Sequence, residues 1–143
     1  MDYRYNCQCS KEKLKKIREF VSEVLHKYNL TEVKINELVL AVDEVCANLI
    51  IHSHNCNPQE SFEIKINVNK KEGITFYIID DGKIGFNLNQ YKEPSINELI
   101  KKQKKGGVGL ILVKRIMDDI QFKCSPERNV CRLFKKLKIH PTS

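Results

Sequence analysis

Alternation of apolar and polar residues predicts two strands in the first half of the chain. In residues 3–9, tyrosines and cysteines alternate with polar side chains, and in residues 62–69 four apolar residues alternate with charged or amide ones. A period of two places successive side chains on opposite faces, so each strand has one buried and one wet face. Residues 74–79, which follow a tight turn at residues 71–73, are apolar on both faces and predict a central strand.

Helical spacing of apolar residues predicts three main helices. The first begins at a Ser10 cap, ends near Asn29 and has one apolar stripe. The second begins at a Thr31 cap, runs to about residue 51 and is apolar around most of its circumference, so it must be largely buried. The third covers residues 109–119. The stripe of the first helix is formed by Leu14, Ile17, Val21, Val24, Leu25 and Tyr28.

The order of these elements predicts the fold class. Two further strands, in residues 121–124 and 130–137, surround a turn at residues 126–129. The segment between residues 80 and 109 reads as irregular, apart from a short helix near residues 96–102, and irregular segments of this length are usually functional. We expect a single domain over residues 1–143 with an α/β fold, a two-layer α+β sandwich whose helices lie on one face of a mixed, mostly antiparallel sheet.

Composition excludes several classes of protein. With 41% hydrophobic and 30% charged residues, the chain is typical of a folded globule and not of a disordered one. It has no apolar run long enough to span a bilayer and no signal-peptide pattern, so we expect a cytoplasmic protein without membrane contact. The net charge of +7 suits either nucleic acid or an acidic protein surface. Helix-turn-helix and base-stacking signatures are missing, which argues against direct nucleic-acid binding.

Six cysteines raise the questions of disulfides and of zinc. None forms a C-x-x-C pair, and without an export signal we interpret them as reduced, mostly buried thiols. His52, His54 and Cys56 lie close together in the sequence. They fall in a segment that reads as a loop and lack a fourth ligand, so a zinc site is the weaker interpretation.

Two polar side chains interrupt the apolar second helix. At 100° per residue, Ala41, Glu44, Asn48 and His52 share a stripe about 80° wide, whereas Asp43 points the other way. A buried carboxylate and amide need polar partners. These partners are found in an internal hydrogen-bond network, in solvent at the helix edge, or in a wet cavity whose floor is the stripe. In the cavity, Asn48 would offer an oxygen to Mg²⁺ and Glu44 would act on a proton.

Two glycine-containing segments follow later in the chain. In the first, Asp80 and Gly82 come directly after the predicted central strand, where backbone can approach a flat ligand and a carboxylate can accept a hydrogen bond from an exocyclic amine. The second opens a helix, and its amides, helix N-terminus and lysines suit a polyphosphate. A solvated glycine turn and a flexible charged lid are the respective alternatives. The second segment comprises Lys104, Lys105, Gly106, Gly107, Val108, Gly109 and Leu110.

In this order the three segments resemble the motifs of the GHKL (Bergerat-fold) ATPases, and among them the small anti-sigma factor serine-protein kinases. The resemblance covers almost the whole chain. ELVLAVDEVCANLIIH (residues 37–52) is similar to the N-box, IIDDGKIGF (residues 78–86) to the G1 box and KGGVGLILVKRIMDD (residues 105–119) to the G2 box. The first glycine segment is one residue longer than the usual D-x-G-x-G.

The resemblance implies roles for individual residues. Glu44 matches the catalytic base and Asn48 the Mg²⁺ ligand, while Asp80 matches the aspartate that binds the adenine amino group. Lys105 lies where these kinases place a cation near the terminal phosphate. The glycines beside the adenine correspond to Gly82 and Gly85, and the phosphate-binding lid corresponds to Gly107, Val108, Gly109 and Leu110.

The implied function is that of an ATP- and Mg²⁺-dependent serine/threonine kinase. It would phosphorylate an anti-anti-sigma antagonist protein and sequester a sigma factor, with a homodimer as a family expectation. Two alternatives stay open on the motifs alone. One is a non-catalytic, ATP-binding partner-switching module, and the other is a detached catalytic domain of a sensor histidine kinase, although the chain has no room for a phosphoacceptor hairpin.

Overall fold

Five strands and three helices make up the part of the chain that the computed structural model describes, residues 1–8, 10–48, 61–80, 107–124 and 128–137. A short 3-10 turn, Lys11–Lys13, precedes the first helix. The helices are α1 (Leu14–Leu25), α2 (Glu32–Asn48) and α3 (Gly107–Ile116). The strands are β1 (Asp2–Gln8), β2 (Ser61–Asn69), β3 (Gly73–Asp80), β4 (Asp119–Cys124) and β5 (Asn129–Lys136).

The strands form one sheet in the order β1-β2-β3-β5-β4. The prediction that residues 74–79 form a central strand is confirmed, because β3 is the middle strand. Every strand pairing in the described part of the chain is antiparallel, so the expected mixed sheet has no parallel pair there. The register aligns Ile66 with Phe76 and Phe76 with Leu133, which places one apolar row across the middle of the sheet.

The helices cover one face of this sheet, as expected. The stripe predicted for α1 is buried at Ile17, Val21, Val24 and Leu25. The core also contains the apolar residues of α2 and the inward positions of the strands. The opposite face keeps polar side chains that are only half-buried, and there the Lys65 ammonium lies 5.2 Å from the centre of the Tyr77 ring. The two-layer prediction is therefore confirmed.

Helix ends are where the sequence predictions needed correction. The Ser10 hydroxyl accepts the Glu12 N–H at 3.3 Å, but this bond starts the 3-10 turn, and α1 begins only at Leu14. α1 also ends at Leu25 and not near Asn29, since the next residues form a turn. The cap at Thr31 is confirmed, because its hydroxyl accepts the Lys34 N–H at 3.1 Å.

α3 also differs from its prediction, since it begins at Gly107 and ends at Ile116 instead of covering residues 109–119. The early end follows from competition with the sheet. The Asp118 N–H donates to the Phe134 carbonyl at 2.8 Å, and Asp119 already pairs with Phe134 as the first residue of β4. Strand pairing therefore takes the backbone that a longer helix would need.

Gly73 closes the hairpin between β2 and β3, although it is the first residue of β3 and not part of the turn as predicted. Its φ is +143°, a backbone conformation that side chains disfavour, and a Cβ added there would overlap the carbonyl oxygen of Lys135 on β5. Glycine at this position thus allows β3 to approach β5 closely.

Three cysteines fall within the described core. Cys7, Cys46 and Cys131 are buried, as the sequence predicted, and burial raises the pKa of the Cys7 thiol. Cys9 and Cys56 lie outside the described residues. None of the helices in the described ranges is long and apolar enough to cross a bilayer.

His26 links the end of α1 to the start of α2. Its Nδ1 lies 2.7 Å from the Ser22 carbonyl and its Nε2 lies 2.9 Å from the Glu32 carboxylate, and these two hydrogen bonds raise the pKa of His26 above 6.5. The charged imidazole is thus favoured in the folded state. Its contribution to stability is fully present below the unfolded value and is lost as pH rises through the folded one.

We therefore expect the His26→Gln substitution to lower the melting temperature more in mildly acidic than in alkaline buffer. Thermal denaturation of both proteins across this range measures the difference. Lys16→Gln, a change at an exposed residue of α1, serves as the control for loss of a basic side chain. A His26→Gln effect that is constant with pH would contradict the expectation.

Candidate functional site

The polar stripe predicted on α2 is present, with Glu44 and Asn48 one helical turn apart. The Asn48 side-chain amide donates to the Glu44 backbone carbonyl at 2.8 Å. Both side chains are half-buried beside the buried Ala41 and Val45. Asp43 lies on another face, as predicted, where its carboxylate meets the Arg18 guanidinium of α1 at 3.1 Å. Asp43 therefore joins two helices, whereas Glu44 belongs to the candidate site.

The environment of Glu44 favours its protonated form. Burial raises the pKa of the Glu44 carboxyl above its usual value of 4.5, and the negative charge of the neighbouring Asp43 raises it further. A carboxylate that gains a proton more readily than a surface glutamate is a better proton acceptor near neutral pH.

The Asn48 amide fits a hard cation through its oxygen. Its nitrogen is directed at the Glu44 carbonyl, which places the oxygen on the other branch of the amide. Amide and carboxylate oxygens are the ligands that Mg²⁺ prefers in proteins, and Mg²⁺ commonly takes only one or two of them together with phosphate oxygens. The described residues contain no group of three or more histidine, cysteine or acidic side chains that would hold a metal alone.

Asp80 is the last residue of β3, at the centre of the sheet. Only 1% of it is exposed, and its register partners are Phe62 on β2 and Asn129 on β5. Asn129 is itself 9% exposed, so two of the buried polar residues of the described structure face each other at this strand end. A buried carboxylate is costly and is retained where polar groups surround it.

Asn129 was missed by the sequence reasoning, which assigned it to the turn at residues 126–129. It is the first residue of β5. Only the register of β5 against β3 reveals that it lies beside Asp80, and the local sequence carries no signal of that pairing.

The ends of α2 and β3 lie at the same end of the sandwich. Tyr28, which follows α1, hydrogen-bonds through its hydroxyl to that of Tyr3 at 2.6 Å. This holds the α1–α2 connection against the start of β1, and Met1 there bonds to Val68, whose register partner Ile74 is near the start of β3. α2 then runs back along α1, as the contact between Arg18 and Asp43 shows. With 17 residues, α2 is about 25 Å long, comparable to β3, so Asn48 lies toward the Asp80 end.

α3 reaches the same end from the other direction. Its C-terminus is held beside Phe134, whose register partner Thr75 is near the start of β3. α3 packs against α2 and runs antiparallel to it, so its first residue, Gly107, points toward the Asp80 end. A helix N-terminus presents backbone N–H groups and partial positive charge, which suit phosphate.

The helix and strand ends that carry the three predicted segments therefore lie toward the same end of the sandwich, and their grouping into one site stays a prediction. The glycine segment opens a helix as expected, with Val108, Gly109 and Leu110 in its first turn. The remaining predicted site residues lie outside the described part of the chain. These are Gly82, Gly85 and Lys105, and the same holds for the zinc alternative at His52, His54 and Cys56.

A family model described as a histidine kinase-like ATPase domain matches residues 7–135. The chain belongs to this family. The match contains both α2 and the start of α3, so the polar stripe and the glycine-opened helix lie inside the family domain. The resemblance to GHKL ATPases drawn from the three motifs is confirmed at this level.

Curated relatives of this histidine kinase-like ATPase domain include proteins named serine-protein kinase RsbW. The protein from Oceanobacillus iheyensis is 30% identical over 105 residues, covering 71% of this chain and 65% of the relative. The protein from Bacillus cereus is 26% identical over 109 residues, covering 73% and 66%. The chain therefore spans about two thirds of the length of the curated relatives it matches.

Solved structures confirm the fold of the domain. The RsbU and RsbW domains of a Mycobacterium tuberculosis protein superpose with a TM-score of 0.68 at 11% identity, covering 99% of this chain and 33% of that one. The SiaB–SiaC complex from Pseudomonas aeruginosa gives a TM-score of 0.63 at 14% identity, covering 92% and 88%. At such low identity the similarity concerns the fold alone.

Proposed function

We propose that the protein is an ATP- and Mg²⁺-dependent serine/threonine kinase that phosphorylates an anti-anti-sigma antagonist and sequesters a sigma factor. The observation that carries this proposal is the half-buried Glu44, with its raised pKa, one turn from Asn48 on the helix that packs against α3. Membership of the ATPase family and relatives named serine-protein kinase support it.

In the proposed site each side chain has a distinct task. Asp80 accepts a hydrogen bond from the adenine amino group, and the amides at Gly107 and Gly109 hold the phosphates, with Lys105 near the terminal one. The Asn48 oxygen would hold Mg²⁺, which when bound neutralises charge on the phosphate oxygens. Glu44 accepts the proton of the attacking serine or threonine hydroxyl. The hydroxyl oxygen forms a bond to the γ-phosphorus while the bond from that phosphorus to ADP breaks.

The product of this reaction explains how one protein serves two partners. A phosphate adds nearly two negative charges to the antagonist, and like charges or lost contacts then weaken its complex with the kinase. The kinase is released to hold the sigma factor. We place this exchange in the cytoplasm and include a homodimer, with the sheet-edge strand β1 and α1 as the candidate surface, which analytical ultracentrifugation would test.

The adenine assignment predicts nucleotide selectivity. Saturation at about one hundred times the dissociation constant stabilises the folded state by about 2.7 kcal/mol. We expect Mg²⁺-ATP to raise the melting temperature accordingly and Mg²⁺-GTP to have little effect. Adenine has an amino group that can donate a hydrogen bond to Asp80, whereas guanine has a carbonyl at the same position. Differential scanning fluorimetry measures both. Equal shifts for the two nucleotides would show that Asp80 does not read the base.

Phosphoryl transfer itself is tested in a single turnover with γ-labelled ATP and an anti-anti-sigma protein. A kinase yields labelled antagonist on serine or threonine. A protein that binds ATP and yields no phosphoprotein would instead be the non-catalytic partner-switching module.

A further inference from the structure

A cavity of about 590 Å³ opens at the end of the sandwich remote from Asp80. It lies between β1, the residues that follow α1 and the turn joining β2 to β3. Its volume is within the range of about 300–1,000 Å³ that is usual for small-molecule sites. The residues that line it, here called the lysine–tyrosine cavity, are Met1, Tyr3, Lys27, Tyr28, Val68, Asn69, Lys70 and Lys71.

The charge of the lysine–tyrosine cavity is of one sign. Lys27, Lys70 and Lys71 contribute ammonium groups, and none of the lining residues is acidic. Glu72 is the next residue of the turn and is exposed, while the Asp2 carboxylate is directed at Asn67, whose amide donates to it at 2.6 Å. Like charges around one volume raise the local potential and attract an anion.

The hydroxyl groups of Tyr28 and Tyr3 form a short hydrogen-bond chain at this cavity, and the chain ends on the sulfur of Met1, a weak acceptor. The Tyr3 and Tyr28 hydroxyl oxygens are 2.6 Å apart, and the Tyr3 O–H donates to the Met1 thioether at 3.1 Å. Burial and the hydrogen bond to Tyr3 raise the pKa of Tyr28 to about 12, so this phenol remains a donor at neutral pH. A ligand oxyanion would form a stronger hydrogen bond with the Tyr3 O–H than the Met1 sulfur does.

The remaining surface of the cavity is apolar and aromatic. The exposed Met1 side chain contributes most of the aliphatic surface, since Val68 is almost fully buried. The Tyr3 and Tyr28 rings meet edge to face with centroids 6.5 Å apart, and the Lys27 ammonium lies 4.8 Å above the Tyr3 ring. Apolar walls with a charged rim suit a ligand that has a flat body and an acidic group.

We propose that the lysine–tyrosine cavity binds a small ligand in which a flat aromatic or heterocyclic body carries one phosphate or carboxylate. Lys70 and Lys71 pair with the acidic group, Tyr3 donates to it, and the body packs on the half-buried Tyr3 ring and the exposed Met1 side chain. The site lies at the other end of the sheet from Asp80, so its occupancy does not depend on the nucleotide site.

Fluorine NMR of protein labelled with 3-fluorotyrosine tests the location of binding. The probes are phenyl phosphate and benzoate, which distinguish the two acids, and uncharged benzyl alcohol. We expect an acidic probe to shift the signals of Tyr3 and Tyr28 and leave those of Tyr5 and Tyr77 in place, since Tyr5 stacks on Phe20 and Tyr77 lies on the opposite sheet face. Tyrosine-to-phenylalanine variants assign the signals.

Paired variants test the role of charge. Replacing Lys70 and Lys71 together by methionine weakens binding of the acidic probe about tenfold or more, because charge-assisted hydrogen bonds are lost. Replacing the exposed Lys15 and Lys16 of α1 by methionine removes the same net charge and leaves the affinity unchanged.

Three results would overturn the proposal. The first is that saturating phenyl phosphate and benzoate leave the fluorine signals of Tyr3 and Tyr28 unchanged. The second is that benzyl alcohol binds as tightly as the acids. The third is polyglutamate that shifts these signals when neither small acid does, which would identify an acidic protein surface as the occupant instead.

Discussion

Under the proposed function, we expect Glu44→Gln to lower phosphoryl transfer to an antagonist protein by a factor of about 10²–10⁴, the usual contribution of a positioned general base. Glutamine keeps the shape of the side chain but cannot accept the hydroxyl proton. ATP binding, followed by the melting temperature, is expected to persist, because Asn48 and Asp80 are unchanged. The measurement is the single-turnover rate of label transfer by both proteins.

A matched control is available on the same helix. Glu37 is half-exposed, and its carboxylate lies 3.9 Å from the Lys34 ammonium, so Glu37→Gln removes the same charge away from the site. We expect it to transfer phosphate at the wild-type rate. Unchanged transfer by Glu44→Gln would remove Glu44 from the mechanism.

The pH profile of transfer carries a second signature of Glu44. Since burial raises the pKa of Glu44, the rate should rise with pH through a midpoint above the usual 4.5. Asp43→Asn removes a neighbouring negative charge and should move that midpoint to lower pH. Stability changes with pH in the opposite direction to the rate. The folded state binds the Glu44 proton more tightly, so the contribution of this group to stability is lost as pH rises through its folded pKa.

Leu38→Ala is expected to lower the free energy of unfolding by about 2–5 kcal/mol, the range for truncating a fully buried leucine. Leu38 is 0% exposed in the middle of α2, so the deleted carbons leave a cavity beneath the helix that carries Glu44 and Asn48. Urea denaturation followed by circular dichroism measures the change.

Leu40 provides the comparison within the same turn of α2. It is 41% exposed, and Leu40→Ala should cost no more than about 1 kcal/mol, because about two fifths of its surface is already in water. Equal losses for the two variants would mean that α2 is not buried along the face the structure shows.

Strands were predicted well because their signals are local. Strict alternation in residues 62–69 identified β2, and apolar residues on both faces identified β3 as central. Both patterns follow directly from the period of two and from which faces are covered. The buried circumference of α2 was readable for the same reason.

Element ends were predicted less well because partners distant in the sequence decide them. α3 stops at Ile116 because β5 captures the backbone of Asp118. Tyr28 fits the apolar stripe of α1 and is buried, yet it lies beyond the end of the helix, where its hydroxyl bonds to that of Tyr3 on β1. Neither partner can be recognised from the residues near the helix end.

The residues of the candidate site were named through the family resemblance and their roles stay predictions, whereas the surroundings of the site were not predicted at all. Spacing on a helix was enough to group Glu44 with Asn48. The placement of Asn129 beside Asp80 depends on the register of β5, and the cavity lined by Tyr3 and Lys70 depends on how β1 meets the hairpin. Both are properties of the assembled sheet, which no local pattern encodes.

The insertion of β5 between β3 and β4 has a consequence for synthesis on the ribosome. β3 gains its second neighbour only when residues up to Lys136 have been translated and have left the exit tunnel. Until then the nascent chain exposes an unpaired apolar edge in its centre, a state that invites aggregation. Chaperone binding to the newly made chain should therefore fall sharply once β5 has joined the sheet.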